Sequence, residues 1–259
     1  MTLVFAAIAP HGGPVFDNPE SPTRKSMEEL GRRFDAAEPE AAIVLTPHGV
    51  HVDDHFAVVR SAALEGDAAQ WTDADTHLAI DGVPELADAC VSALRDDGIP
   101  VVGVTFGATA AGASTMPLDW GALIPLWFMR APAVVASPCR SRPNDEHVRA
   151  GAALARATGT RRVALIASAD HGHGHDPNGP YGFAAESKPY DETIVELVRA
   201  DRLGDLVEVD AGFAHAAKAD SFWQLLMLHG ALGGGWSADL LSYEVPTYFG
   251  MLCAAYSRT

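Results

Sequence analysis

The sequence predicts an α/β protein, a single three-layer domain over residues 1–259, with a mixed, mainly parallel central sheet flanked by helices. Three observations predict it. Short apolar runs recur along the chain and alternate with amphipathic stretches of helical period. Most of these runs are apolar throughout rather than alternating, as in strands covered on both faces. The chain has 259 residues, 48% of them hydrophobic, enough for one large core and short for two full ones.

The elements follow in order. Leu3–Ala9 reads as the first strand. A helix is expected over Thr23–Ala37, with Ser21 as N-cap and Pro22 in the first turn. Strands follow at Ala41–Thr46 and Phe56–Ser61, then a helix at Pro84–Asp97 and a strand at Val101–Phe106. Ala133–Ser137 and Arg162–Ser168 are strands around a helix at Asp145–Thr158, for which Asn144 is a good N-cap. Helices at Asp191–Ala200 and Asp220–Leu232 come next. The glycine-rich stretch Gly230–Gly235 then reads as a turn before a last strand, which ends around Pro246-Thr247-Tyr248. The acidic loop Ala63–Asp75 is placed outside the sheet, as a lid or an interface.

Composition removes several classes of function. The net charge of −16 disfavours nucleic acid and anionic membranes, which need a basic surface. No apolar run approaches the ~20 residues of a bilayer span. The N-terminus lacks a basic leader and runs straight into a strand-like segment. Cys90, Cys139 and Cys253 show no C-x-x-C spacing and read as buried thiols in a reducing compartment, so a cytoplasmic location is expected. No strand–GxGxxG–helix unit and no phosphate loop are present, which disfavours nucleotide cofactors. A Gly-x-Ser-x-Gly elbow is also lacking.

What remains is histidine chemistry. Two apolar runs end on a histidine followed by glycine, in Ala9-Pro10-His11-Gly12-Gly13 and Thr46-Pro47-His48-Gly49. Each places an imidazole at the carboxyl end of a strand, where open α/β sheets bind ligands. A third group follows another strand, in Ser168-Ala169-Asp170-His171-Gly172-His173. Two such histidines and one carboxylate would make an open-sided iron site for oxygen chemistry. His48, His51 and His55 cluster, as do His171, His173 and His175, and at least one of the latter three is expected to be a bystander.

These segments, in this order, resemble the class III extradiol ring-cleavage dioxygenase superfamily, which includes B-type catalytic subunits and the Memo proteins. His11 and His48 match its metal histidines. The Ser168–His173 segment, with Gly179-Pro180-Tyr181-Gly182 and Tyr190-Asp191 after it, resembles its Ser-Gly-Asp-x-x-His block and makes His173 the match to the catalytic histidine. Leu225–Leu232 resembles the closing helix. The resemblance implies a third metal ligand at the start of that helix. Asp220 is favoured, with Glu244 as the alternative carboxylate; an aspartate before a helix is also an ordinary N-cap.

The implied activity is ring opening of a catechol, an aminophenol or a related aromatic by O2, with Fe(II) as cofactor. Two imidazoles and a carboxylate hold iron on one face and leave positions open for substrate and oxygen. His/His/Asp also suits zinc, so a hydrolase on the same fold stands as an alternative. A Memo-like metal protein with a redox or peptide-binding role is another. His173 is expected to act as acid and base, with His171 as a second candidate, while Asp170 would orient a neighbouring imidazole. Trp120, Tyr181, Thr247 and Tyr248 are expected around the substrate ring. The family also implies a homo-oligomer or a complex with a small second subunit.

One departure stands out. Leu118-Asp119-Trp120-Gly121 carries tryptophan where many family members carry a substrate-facing histidine. Indole donates one hydrogen bond and moves no protons, though it can stack on a ring. His51, His55 and His171 are the histidines left to compensate.

Overall fold

A computed structural model describes residues 3–69, 72–73 and 75–259. In chain order the elements are β1 (Leu3–Ala9), α1 (Pro14–Asp17), α2 (Pro22–Ala36), β2 (Ala41–Leu45), β3 (Phe56–Val59), β4 (Ala63–Gly66), β5 (Leu78–Asp81), α3 (Pro84–Asp96) and β6 (Val101–Val104). Then come β7 (Thr115–Pro117), α4 (Trp120–Phe128), β8 (Ala133–Ser137), α5 (Asn144–Ala157), β9 (Val163–Ser168), α6 (Ser187–Arg199), α7 (Ala211–Ala216), α8 (Phe222–Leu232), β10 (Trp236–Glu244) and β11 (Met251–Arg258).

Eight strands form one sheet in the order β10-β11-β1-β9-β2-β8-β3-β6. The pairs β1/β9, β9/β2, β2/β8 and β3/β6 are parallel. The pairs β10/β11, β11/β1 and β3/β8 are antiparallel, so the sheet is mixed as expected. Successive side chains of a strand point to opposite faces. In β2, Ala41, Ile43 and Leu45 enter the core beneath α3, α5, α6 and α8, while Ala42 and Val44 enter the core shared with α2 and α4. The same alternation runs through β8 and β9. This two-sided burial is why the strands read as unbroken apolar runs.

The first helix obeys its predicted signals. Ser21 accepts from the Arg24 N–H and Pro22 sits in the first turn. Asn144 does not cap α5. Pro143 holds that position, and the Asn144 amide donates to the Val207 and Val209 carbonyls, both at 3.0 Å. Helix α6 begins before Asp191, at Ser187, because Pro189 lies in the first turn where no N–H is needed.

Other differences concern elements without a clean period. Helix α4 is nearly all apolar and contains Pro125, so neither amphipathicity nor propensity marks it; Asp119 caps it through the Ala122 N–H. The last strand does not end around Tyr248: β10 stops at Glu244, and Thr247 and Tyr248 lie in the loop before β11. The sequence of β11 opens Met-Leu-Cys-Ala-Ala, poor in β-branched residues, and pairing with β1 and β10 makes it a strand. The stretch 63–75 is not wholly a loop. It opens with β4, which pairs with β5 and β7 in a small second sheet; residues 70, 71 and 74 lie outside the described residues.

Helices α5 and α8 pack closely. A Cβ on Gly230 would collide with the Val148 carbonyl oxygen, so only glycine admits this approach. That packing holds the start of α8 at the carboxyl edge of the central strands. No helix among the described residues is long and apolar enough to cross a membrane.

Candidate metal centre

Strands β1, β2 and β9 run parallel, so their carboxyl ends share one edge. His11 follows β1, His48 follows β2, and Asp170 follows β9. Asp220 reaches the same place from the segment before α8. His11 Nε2 and His48 Nε2 lie 3.0 Å apart, and Asp220 Oδ2 is 3.4 Å from the first and 3.1 Å from the second. One ligand atom from each of His11, His48 and Asp220 falls within 4.8 Å of the others. The Asp170 Oδ2 lies 3.5 Å from His11 Nε2, a third contact to the same nitrogen.

The orientation of His11 traces back to a proline. Pro125 lacks the N–H that would bond the Gly121 carbonyl one helical turn earlier. That carbonyl accepts from the Ser168 hydroxyl instead. With its hydrogen committed, Ser168 Oγ can only accept, and it lies 2.9 Å from His11 Nδ1. His11 Nδ1 therefore donates, and Nε2 faces the cluster. Gly121 is itself constrained, since a Cβ there would collide with Thr46 Oγ1. Gln224 ties the two sides together, donating to the Ser168 carbonyl at 3.0 Å and the Asp220 carbonyl at 2.7 Å.

His48 is held differently. Its N–H donates to Thr46 Oγ1 at 3.2 Å, and that hydroxyl donates to Asp119 Oδ1 at 2.6 Å. Its ring stacks on Trp120, with centroids 4.3 Å apart and planes 29° apart. Trp120 is thus the bed of a candidate ligand.

Electrostatics favour positive charge here. Burial alone would lower the pKa of His11, but Asp170 and Asp220 outweigh it and push it up to about 9. Burial would raise the Asp220 carboxyl, yet His11 beside it and hydrogen bonds from both histidines hold it well below the usual range. Burial raises Asp170. Two nitrogens and an anionic oxygen converging on one point suit a divalent cation, which would compete with the proton on His11.

Several expected residues line a cavity of about 340 Å³ beside the cluster: Trp120, Tyr181, Thr247 and Tyr248, with His173 and Phe249. The His173 ring stacks on Phe249 at 5.2 Å and meets Tyr181 edge-on at 5.6 Å. Its Nδ1 is buried without a hydrogen-bond partner. A second cavity, of about 520 Å³, shares His48, His173 and Tyr181 and adds Asp220, Arg140 and Lys218.

Two proposed residues belong elsewhere. Glu244, the alternative carboxylate, accepts from the Thr23 N–H at 2.9 Å and serves the start of α2, whose free N–H groups and positive dipole end attract a carboxylate. His171 is fully buried and lines neither cavity, and its Nδ1 lies 3.0 Å from Ser221 Oγ. Regular alternation would put His171 and His173 on one face, but the chain leaves the strand at Ser168 and bends at His173, which separates the two rings. Burial lowers the pKa of His171, which keeps the ring neutral. His175 is also structural, 2.8 Å from Asp191 Oδ2. His55 lines neither cavity, whereas His51 lines the larger one with Nε2 2.9 Å from the Pro47 carbonyl.

Asp220 does not cap α8. Ser221 occupies that position, while Asp220 Oδ1 accepts from the Asp170 N–H at 3.2 Å. The sequence reading passed over Ser168 and Arg140. Ser168 lay inside a motif whose other members drew attention, and Arg140 had no motif at all.

The fold is thus an α/β sheet with a His/His/Asp cluster, able to hold a divalent metal, at the carboxyl ends of its central strands. The chain belongs to the family of the catalytic LigB subunit of aromatic ring-opening dioxygenase, whose model matches residues 6–252. A Clostridium acetobutylicum relative, Protein CA_C1420, is 22% identical over 229 residues, covering 86% of this chain. The chain spans about half, 49%, of that relative's length. The crystal structure of the uncharacterized protein JW3007 from Escherichia coli K12 superposes with a TM-score of 0.68 at 21% identity, over 97% of this chain and 98% of that one. This last likeness shows the fold.

Proposed function

We propose that the protein is a non-haem Fe(II) extradiol-type dioxygenase that opens the ring of a catechol, an aminophenol or a related aromatic. The observation that carries the reading is the convergence of His11, His48 and Asp220 at 3.0–3.4 Å beside a cavity walled by aromatic rings. Iron bound there would acidify a ring hydroxyl and bring substrate and O2 together.

The chain's own residues supply the rest. Trp120, Tyr248 and Phe249 give flat apolar walls to a planar ring and displace water from it. His173 lines both cavities, and its ring takes a proton from the substrate and returns one on ring opening. Its unpartnered Nδ1 supports that role, because no protein acceptor fixes its tautomer. Asp170, with its raised pKa, lies beside the Nε2 of His11 and steadies that residue by accepting from its backbone N–H at 3.1 Å.

The test is anaerobic purification with metal analysis, followed by oxygen uptake with a panel of catechols and aminophenols. Iron near one per chain with uptake and a ring-opened product is the expected result. His173→Ala should keep its metal and lose ~100-fold or more in turnover, the size of a general acid–base contribution. Unchanged turnover would reject the role of His173.

Trp120 supports a second reading, a Memo-like metal protein without ring cleavage. An indole fills the place of a proton-carrying imidazole and stacks on His48. Bound metal with no uptake across the panel would favour it. Zinc in place of iron, with hydrolytic turnover, would favour the hydrolase.

A further inference from the structure

His173 lies in an irregular segment, after β9 and before α6, that no ladder or helix holds in place. The Nδ1 of its ring is buried without a hydrogen-bond partner, so no acceptor at that atom orients the imidazole. Phe249 and Tyr181 only pack against the ring. Where the imidazole comes to rest therefore depends on how firmly its backbone is held. That backbone is held at every residue. The Gly172 N–H donates to Asp191 Oδ1 at 2.7 Å, and the Gly172 carbonyl accepts from the Gly250 N–H at 3.2 Å. The His173 N–H donates to the Ala217 carbonyl at 3.1 Å, and the Gly174 N–H to Ser187 Oγ at 2.9 Å.

Asp191 grips this segment on both sides of His173. It sits in α6, fully buried, and lines neither cavity. While Oδ1 takes the N–H of the residue before His173, Oδ2 lies 2.8 Å from Nε2 of His175, two residues after it. The Tyr243 hydroxyl donates to the same Oδ2 at 2.7 Å. Burial, with Asp191 alongside, pushes the Tyr243 pKa up, so that hydroxyl keeps its proton and remains a donor. A carboxylate only accepts, so His175 donates from Nε2 as well. The site is cut to this side chain, since a Cβ on Gly250 would collide with Asp191 Oδ2. One carboxylate thus ties α6 and β10 to the two residues that flank His173.

We propose that Asp191 is the positioning residue of His173: it aims the imidazole by clamping the backbone before it and the side chain after it, with His175 and Tyr243 as the donors that hold the carboxylate. The inference rests on the proton-transfer role given to His173 above. Hydrogen bonds to a charged acceptor are the strong ones, and buried networks of them lock one geometry. A displacement of about 1 Å in a reacting group can cost ~100-fold in rate, so a clamp that never touches the substrate still governs turnover. Asp191→Asn is the discriminating change. Its amide oxygen can still accept from Gly172, but its NH2 then faces the donors of His175 and Tyr243, which opens one side of the clamp at unchanged volume.

The experiment uses the full chain loaded with Fe(II), with oxygen uptake on catechol and on 2-aminophenol. Asp191→Asn should lower kcat about 10–100-fold while KM for the aromatic and iron content stay the same. Placed on His173→Ala, it should cost nothing further, because the clamp acts only through that ring. His175→Leu should lower kcat less, His175→Gln, which keeps an N–H donor, should recover most of the loss, and Tyr243→Phe should have the smallest effect. His175 and Tyr243 are only half-buried, so their variants carry the test even where Asp191→Asn fails to fold. Unchanged kcat in Asp191→Asn and His175→Leu overturns the clamp, as does a loss of iron in step with kcat or an equal loss on the His173→Ala background. A second readout needs no turnover. In the metal-free chain, NMR cross-peaks from the His173 ring to Phe249 and Tyr181 should change in Asp191→Asn. If no variant and not the native chain takes up oxygen, ring cleavage fails; cross-peaks that change then leave the clamp standing, and cross-peaks that stay the same sink it too.

Discussion

Strands β1 and β2 end in the same three letters, Pro-His-Gly, and bring their histidines to one point by opposite means. His11 is 1% exposed, flanked by two carboxylates and oriented through Ser168. The His48 side chain is 24% exposed, stacked on an indole and positioned through its own backbone. A strand-end motif thus dictates where an imidazole sits, while its neighbours dictate how tightly it is held and at what charge. On the proposed reading His11 would anchor the metal, and His48, which borders both cavities, would face the substrate.

The sharpest way to break this comparison is to remove each ring. Both His11→Ala and His48→Ala should lose the metal. Without metal, His11→Ala should also cost roughly 3 kcal/mol, the lower end for breaking a buried ion pair, because Asp170 can take up a proton. His48→Ala should cost less than about 1 kcal/mol, since its partner Asp220 keeps His11. Metal stoichiometry and denaturant unfolding of the metal-free proteins measure both, and equal losses of stability would erase the distinction.

A smaller effect is expected behind the ligands. Ser168→Ala removes the acceptor of His11 Nδ1 and should weaken metal binding about 10–100-fold, as outer partners of ligating histidines do. Thr46→Ala removes a contact to the backbone of His48 rather than to its ring and should weaken binding only a few-fold. Competition against a chelator ranks them, and the reverse order would mean that His48 is the better-oriented ligand.

The smallest effect belongs to Pro125→Ala. It supplies an N–H that competes with Ser168 for the Gly121 carbonyl. Thermal stability should rise, since a proline inside a helix is unfavourable, while metal affinity should fall a few-fold. A rise in stability with no change in affinity would show that the Ser168 hydroxyl needs no help from the helix to orient His11.

Much of this centre was legible along the chain because it is built on local signals. Apolar runs stop at His11 and His48, and doubly covered strands need such runs wherever they occur. Trp120 and Tyr181 stand next to motifs that named their neighbourhood. Glu244 misled because a carboxylate near a strand end looks the same in sequence whether it meets a metal or the start of a distant helix. His171 misled because spacing alone does not say which face of an extended segment points into a cavity.

The order of apolar and amphipathic stretches was therefore enough to specify the α/β layers and the strand ends that carry the histidines, because backbone period and two-sided burial act residue by residue. Choosing Asp220 over Glu244, turning His171 away, freeing the Gly121 carbonyl for Ser168 and bringing Arg140 beside His48 were decided only in three dimensions. Each depends on which strands lie side by side and where α4 and α8 come to rest. Those placements follow from the packing of whole layers, and no local pattern encodes them.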